Sequence, residues 1–399
     1  MISFQEALHI VLQNTGNYPN EKVALANTLG RVLKEDLYTD RDFPPYNRVT
    51  MDGIAIQYDS YTKGQRGFKI EGVAAAGAPQ MNLVDPTRCV EVMTGAILPN
   101  YADTVIRYED LDIHNGQANI MDEKLLRGKN VHKQAEDRQK GELVIAKNTL
   151  IRPAEIGIAA TIGKTHIDIA MRPKAIILST GDELVEVGET PLPHQIRRSN
   201  VHQIQAILAQ EYLNADIKHL ADNLEQIKEE LESLLDQYDV IILSGGVSKG
   251  KFDFLPTALE ALGVQKLFHK VKQRPGKPFW FGKASNAKKT KVFALPGNPV
   301  SSFLCTHRYI IPWLRASLGL PEQTLPFAKL TESYLFKPDL TYFLQVKVSY
   351  DEKGRILATP VTGNGSGDLA NLSNANAFLQ LPEGKSVFRK GGVYPLISY

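Results

Sequence analysis

A chain of 399 residues is too long for one ordinary compact core, so two to four domains are expected. With 43% hydrophobic and 23% charged residues the composition excludes a largely disordered polymer, and 46 basic against 44 acidic side chains exclude the basic excess of a non-specific nucleic-acid binder. No apolar stretch reaches the length of a membrane span, and Cys89 and Cys305, the only cysteines, argue against a disulfide framework and for a reducing, cytoplasmic compartment.

Ser3 and Glu6 form a capping box ahead of Phe4, Leu8 and Val11, which predicts a helix over 3–14, and a second short helix is expected over Val23–Leu33. At Asp42-Phe43-Pro44-Pro45-Tyr46-Asn47 the paired prolines force extended backbone. The turn-rich stretch that follows, to about Gly141, reads as a mostly-β insert. Leu150–Gly163 then resumes a helical pattern, so the first domain is discontinuous. From 174 to 317 short apolar runs alternate with helical ones: strands at Lys174–Leu178, Ile217–Leu220, Val240–Leu243, Leu267–Val271, Phe279–Phe281 and Val292–Leu295, and helices at Val201–Tyr212, Leu224–Gln237, Leu255–Leu262 and Val300–Leu318. That rhythm predicts a largely parallel, doubly wound sheet. Lys288, Lys289 and Lys291 read as a solvated hairpin loop. Lys329–Tyr399 has no helical period and several turn signals, which predicts a small all-β domain.

Ligands of open α/β sheets bind beyond the carboxyl ends of the strands, and three loops there share one character. Ser244-Gly245-Gly246-Val247-Ser248-Lys249-Gly250 has glycines that free backbone N–H groups to face an anion. In Leu295-Pro296-Gly297-Asn298-Pro299-Val300-Ser301, Asn298 suits an N-cap and Pro299 the first helical position, giving a helix start fit for an oxyanion. Arg274-Pro275-Gly276-Lys277-Pro278 holds two cations in a stiff turn. Each motif alone also has a plain structural reading as a tight connection, a capped helix or a turn. Scattered acids accompany them: Asp52, Asp137, Asp182, Glu183, Asp222 and Asp253. Anion cradles with carboxylates suit a phosphorylated substrate bridged by a metal such as Mg²⁺.

Taken in order, these segments resemble the molybdopterin molybdotransferase family, which includes bacterial MoeA and the E domain of gephyrin. The match runs through Pro44-Pro45-Tyr46 to Met51-Asp52-Gly53, Met93-Thr94-Gly95-Ala96, Glu136-Asp137 and Leu178-Ser179-Thr180-Gly181-Asp182-Glu183-Leu184. It continues through Ser199-Asn200, the Ser244 and Pro275 loops and Leu295-Pro296-Gly297-Asn298-Pro299. The resemblance implies four domains: an elongated N-terminal domain of 1–44 and 139–172, a mostly-β insert of 45–138, a molybdopterin-binding α/β domain of 173–318 and a small C-terminal β-barrel-like domain of 319–399. It implies a homodimer with an active site between subunits, and a Mg²⁺-dependent transferase that inserts molybdate into adenylyl-molybdopterin with release of AMP.

By the same match, Asp52, Asp137, Glu183 and Asp253 are implied as catalytic, with Glu183 and Asp253 on the metal. Thr94, Ser179, Thr180, Gly181, Asp222, Ser244, Gly245, Gly246 and Ser248 are implied in substrate binding. Arg274, Lys277, Pro296, Gly297, Asn298, Pro299, Ser301 and Ser366 are implied around molybdate. The chain departs from the pattern in Ala135 where glycine is frequent, in Arg274 where the first base is usually lysine, in Lys249, in Arg48, and in lacking an arginine along Thr341-Tyr342-Phe343-Leu344-Gln345. A pterin adenylyltransferase and a non-catalytic scaffold of the same fold are the competing expectations.

Overall fold

A computed structural model describes residues 1–246 and 255–399. Ser248, Lys249 and Asp253 lie outside the described residues.

The middle of the chain forms a six-stranded sheet. Its elements are β1 (Ala175–Thr180), α1 (Asn200–Gln210), β2 (Ala215–Leu220), α2 (Leu224–Gln237), β3 (Val240–Ser244), α3 (Leu255–Ala261), β4 (Gln265–His269), β5 (Trp280–Lys283), β6 (Lys291–Leu295) and α4 (Pro299–Cys305). The strand order is β2-β1-β3-β6-β5-β4. β2, β1, β3 and β6 run parallel, whereas β5 runs against both its neighbours, β6 and β4. The connections explain that departure from a parallel sheet, because β4–β5 and β5–β6 are joined without a crossover helix, and only antiparallel neighbours can be joined so directly.

Strands covered on both faces lose the apolar/polar alternation, which is why these runs read as continuously apolar. Ile176, Leu178, Ile241 and Leu243 face α2 and α3, while Ile177, Ile242, Phe293 and Leu295 face α1 and the helix after β6. On α2 the buried Ile227, Leu231, Leu234 and Leu235 fall at helical spacing, and Asn223 caps the N–H groups of Glu225 and Gln226. Removing one such side chain, as in Leu231→Ala, costs about 2–5 kcal/mol. The helix from α4 continues through a π turn at Thr306–Ile310 into Ile311–Ser317. The π turn lies just before Pro312, which has no N–H to extend the ladder.

Helix Phe4–Gln13 packs Phe4, Ala7 and Val11 into the same core as α1 and Trp313. The helix expected over Val23–Leu33 does not form. Asn20–Ala24 is a strand paired with His166–Ala170, followed by one 3₁₀ turn at Leu25–Asn27. A partner some 145 residues away in sequence wins over local propensity, and Gly30 at φ +70° turns the chain where the helix was expected. Leu37–Tyr38 likewise pairs with Leu143–Ile145, so residues on either side of the insert share one small core.

The insert is a six-stranded mixed sheet with Gly53–Ile56 between Thr104–Arg107 and Arg88–Val92. The C-terminal region is a closed small barrel, because Thr341–Tyr350 pairs with Ile356–Pro360 on one side and Ala377–Leu381 on the other. Gln273–Arg274 adds to this barrel as a parallel partner of Thr341–Tyr342, stitching the Arg274 turn to it. Lys291 is not solvated as expected: it begins β6, is 6% exposed, and burial first, then Lys283 and Lys289, push its amine down to about 8.

Candidate functional site

The sheet reverses direction of winding between β1 and β3, whose neighbouring crossovers lie on opposite faces. A crevice forms at such a point because the two loops part there. Here it is a cavity of ≈ 410 Å³ lined by Ser179, Thr180, Glu183, Arg198, Asn200, Ser244, Gly245, Gly297 and Asn298, with Gly367 and Leu369 from the barrel region.

The glycines after β3 are there for space and backbone conformation. Gly245 has φ +104°, and a Cβ on it would stand 3.2 Å from the Thr180 carbonyl oxygen. A Cβ on Gly246, at φ +68°, would meet Leu255 Cδ1 at 2.6 Å and Thr180 Oγ1 at 3.0 Å. The loops are tied across the crevice by Asn200 at the start of α1. Its Nδ2 donates to Ser244 Oγ at 2.9 Å and to the Gly297 carbonyl at 2.7 Å. Arg198 is buried, donates to Ser179 Oγ at 3.4 Å and pairs with Glu186. Ser179 Oγ also contacts His219 Nδ1 at 2.9 Å. Asn200 and Arg198 do not appear among the expected site residues, although Ser199-Asn200 is one of the matching segments.

A second cavity of ≈ 270 Å³ adjoins the first across the start of α4. It is lined by Arg274, Pro275, Val300, Gln345 and Ser366, with Tyr334, Phe336 and Tyr342 as an aromatic wall. The Phe336 and Tyr342 rings stack at 4.1 Å. Burial first, then the Tyr334 hydroxyl, hold the Tyr342 phenol well above its usual range, and Arg274 opposes them.

The start of α4 differs from expectation. Asn298 occupies the N-cap position, but its side chain caps nothing; Nδ2 donates instead to Ser366 Oγ at 2.9 Å. The first helical N–H groups are already bonded, Val300 to the Ser366 carbonyl at 3.1 Å and Ser301 to the Asn298 carbonyl at 3.0 Å. A row of free N–H groups for an oxyanion is therefore not available there. Ser301 is 2% exposed, Pro296 is buried and Lys277 is exposed, and none of the three lines either cavity. Ser366 lines the second cavity.

Glu183 lines the first cavity, and Asp182 and Asp222 cluster near it outside that lining. The Asp222 N–H donates to Asp182 Oδ1 at 3.1 Å. Burial first, then the charges of Asp182 and Glu183, hold the Asp222 carboxyl above the usual carboxylate range. Glu183 folds back over Gly181, where an added Cβ would lie 2.5 Å from Glu183 Oε2. No cluster of three or more histidine, cysteine or acidic residues among the described residues is ready to hold a metal. Asp182, Glu183 and Asp222 offer carboxylate oxygens, the donor type that a hard divalent cation such as Mg²⁺ takes.

Asp52 and Asp137 lie elsewhere. Asp52 sits just before Gly53, where a Cβ would collide with the Ile106 carbonyl oxygen at 1.8 Å, so only glycine lets the strand pass. Its Oδ1 accepts from the Thr94 N–H at 2.6 Å and from Thr94 Oγ1 at 2.7 Å, which holds the carboxyl below the usual range. Thr94 and Asp52, implied in separate roles by the resemblance, are thus direct hydrogen-bond partners. Asp137 accepts from His132, and its own N–H bonds the Phe43 carbonyl at 2.9 Å. Among the described residues, the hydrogen-bond partners of both acids lie within 43–138.

These features define a multidomain protein whose α/β domain and C-terminal barrel enclose two adjoining polar cavities. Family models match along its length: the MoeA N-terminal region (domain I and II) over residues 2–163, a probable molybdopterin binding domain over 176–316 and the MoeA C-terminal region (domain IV) over 328–397. A molybdopterin molybdenumtransferase of Synechocystis sp. is 39% identical over 401 residues, all of both chains, and that of Bacillus subtilis is 31% identical, covering 98% of this chain and 92% of its own. The crystal structure of a molybdopterin biosynthesis moeA protein from Pyrococcus horikoshii OT3 superposes over the whole of both chains with a TM-score of 0.84 and 26% identity. The chain belongs to the molybdopterin molybdenumtransferase family. No helix among the described residues is long and apolar enough to cross a membrane.

Proposed function

We propose that this chain inserts molybdate into adenylyl-molybdopterin with loss of AMP, as a cytoplasmic homodimer. The observation that carries the reading is the pair of cavities back to back: Pro299 lines one and Val300 the other, and Ser366 and Gly367 divide in the same way. Two oxyanionic substrates repel each other unless fixed positive and dipolar groups stand around them. The first cavity, with its glycine turn and the Asn200 tie, suits the phosphates of the nucleotide-linked pterin. The second, with Arg274 and the Ser366 hydroxyl beside polar Gln345, suits molybdate.

Mg²⁺, held by Glu183 with the neighbouring acids and with Asp253 as the resemblance implies, would neutralise phosphate charge when bound. Asp52, kept ionised by Thr94, is suited to orient the water that attacks the phosphoanhydride. Since its partners and those of Asp137 lie within the same stretch of chain, we assign their approach to the cavities to a second copy of the chain. The deciding assay is molybdate-dependent AMP release from adenylyl-molybdopterin. Asp52→Asn should lower it by about 10²–10⁴-fold. Wild-type turnover by that variant ends the role of Asp52, and a wild-type protein that releases no AMP ends the whole reading.

A further inference from the structure

The insert carries a line of side chains that the matched motifs do not explain. Arg48–Val49 pairs antiparallel with Val131–His132, and Arg48 stands opposite His132. Arg48 Nη2 lies 3.0 Å from His132 Nδ1, and His132 Nε2 lies 3.1 Å from Asp137 Oδ1. A guanidinium can only donate, so in this arrangement Nδ1 accepts. The ring proton then sits on Nε2 and donates to Asp137. Three side chains form one directed line, from arginine through histidine to carboxylate.

The line is anchored at both ends. The backbone of Val49 and Thr50 is held between two neighbours: Val49 exchanges bonds with Gly95 and Ala96 at 2.9 and 3.0 Å, and the Thr50 N–H donates to the Asn130 carbonyl at 3.1 Å. Asp52 and its partner Thr94 flank one side of this junction, and Asp137 follows the other. The His132 side chain is 23% exposed against 58% for Asp137. A largely covered ring therefore grips one oxygen of an open carboxylate, and the other oxygen has no partner among the described residues. Glu136 stands 3.9 Å from the same Nε2, but its carboxylate is engaged by the Lys133 N–H.

We propose that His132 is a positioning residue for the transfer reaction, fixed as the Nε2–H tautomer by Arg48 so that Asp137 presents its free oxygen in a set direction relative to Asp52. This rests on the reaction proposed above, and His132 acts only through Asp137. The expected signature is a fall in kcat with little change in KM for adenylyl-molybdopterin.

The test combines kinetics with ¹⁵N-histidine NMR of the intact protein, using His132→Gln to assign the ring. The wild-type spectrum should show a protonated Nε2 and an unprotonated Nδ1 at His132. His132→Ala should lose up to about 100-fold in kcat, the size of effect a misplaced catalytic group produces. His132→Gln, whose amide N–H can reach where Nε2–H stood, should recover most of that loss. The double variant His132→Ala/Asp137→Asn should be no worse than Asp137→Asn alone. An Nδ1–H ring, an unimpaired His132→Ala, or a glutamine variant as poor as alanine would overturn the relay while wild-type AMP release stands. A wild type that releases no AMP would overturn the reaction and with it this role, and the tautomer would still report whether the geometry exists.

Discussion

At the strand ends of the α/β domain the polar groups are tied to one another. Asn200 spans Ser244 and Gly297, Asn298 reaches Ser366, and the walls of the first cavity run from Ser179 to Leu369. In the insert the acids are held just as firmly, Asp52 by Thr94 and Asp137 by His132, but they face solvent and line neither of those cavities. On the proposed reading, one half of the chemistry would be assembled inside a chain and the other half held ready for a second copy. The difference shows why firm hydrogen bonding of a carboxylate is no sign that its site is complete.

The most direct way to break this comparison is complementation. Asp52→Asn and Arg274→Ala should each abolish most AMP release, yet coexpression should restore roughly a quarter of wild-type activity, since half of the dimers would be mixed and each would hold one intact site. No recovery would mean that both halves act within one chain. On the cavity side, Gly246→Val forces a left-handed β-branched residue against Leu255 and Thr180. Its unfolding free energy should fall by about 1–3 kcal/mol, measured in urea, with a higher KM for adenylyl-molybdopterin. Asn200→Ala leaves Ser244 Oγ and the Gly297 carbonyl without their donor. A loss of about 1–3 kcal/mol in the same titration is expected, with KM raised more than kcat is lowered.

Acidity sharpens the contrast. Asp222 has its carboxyl raised by burial and then by Asp182 and Glu183, so the folded state holds that proton more tightly than the unfolded one. Its contribution is present below the ordinary carboxylate pKa and is lost as pH rises through the raised value. Metal-free Asp222→Asn should therefore have the higher Tm above that window, with the gap closing at lower pH, and adding Mg²⁺ should stabilise wild type more than the variant. An unchanged Tm–pH curve would remove the argument for crowded acids. Asp52 has the opposite sign, held down by Thr94, so Thr94→Ala should move the Asp52 carboxyl back up, as seen in its ¹³C titration. The smallest effect concerns Ala135, which adopts φ +62° where the family often has glycine. Ala135→Gly should raise stability by about 0.5 kcal/mol, the relief of left-handed strain outweighing the added chain entropy. Thermal unfolding would show it.

Much of the fold was legible because local rules and tertiary packing agree. The prediction of a helix over Leu224–Gln237 matches the structure, since an amphipathic stripe and the Asn223 cap act together. Agreement failed where a distant partner decided: Asn20–Ala24 became a strand through His166–Ala170. Among the cavity-lining residues, Ser244 and Gly245 were legible as part of a glycine-rich turn, whereas Ser366 came only through the family resemblance. Asn200 as a cross-loop tie, Arg198 beneath Ser179, and His132 between Arg48 and Asp137 were not, because a side chain's partner across the fold leaves no local pattern.

Composition, turn residues and apolar periodicity are properties of neighbours along the chain, and they determined the domain types, the glycine-rich turns and the placement of most helices and strands. Which loops meet, which N–H groups at the α4 start are already used, and which acids stand apart from the cavities depend on contacts between distant segments. Those contacts are set by closing a common core, and only the tertiary structure decides them.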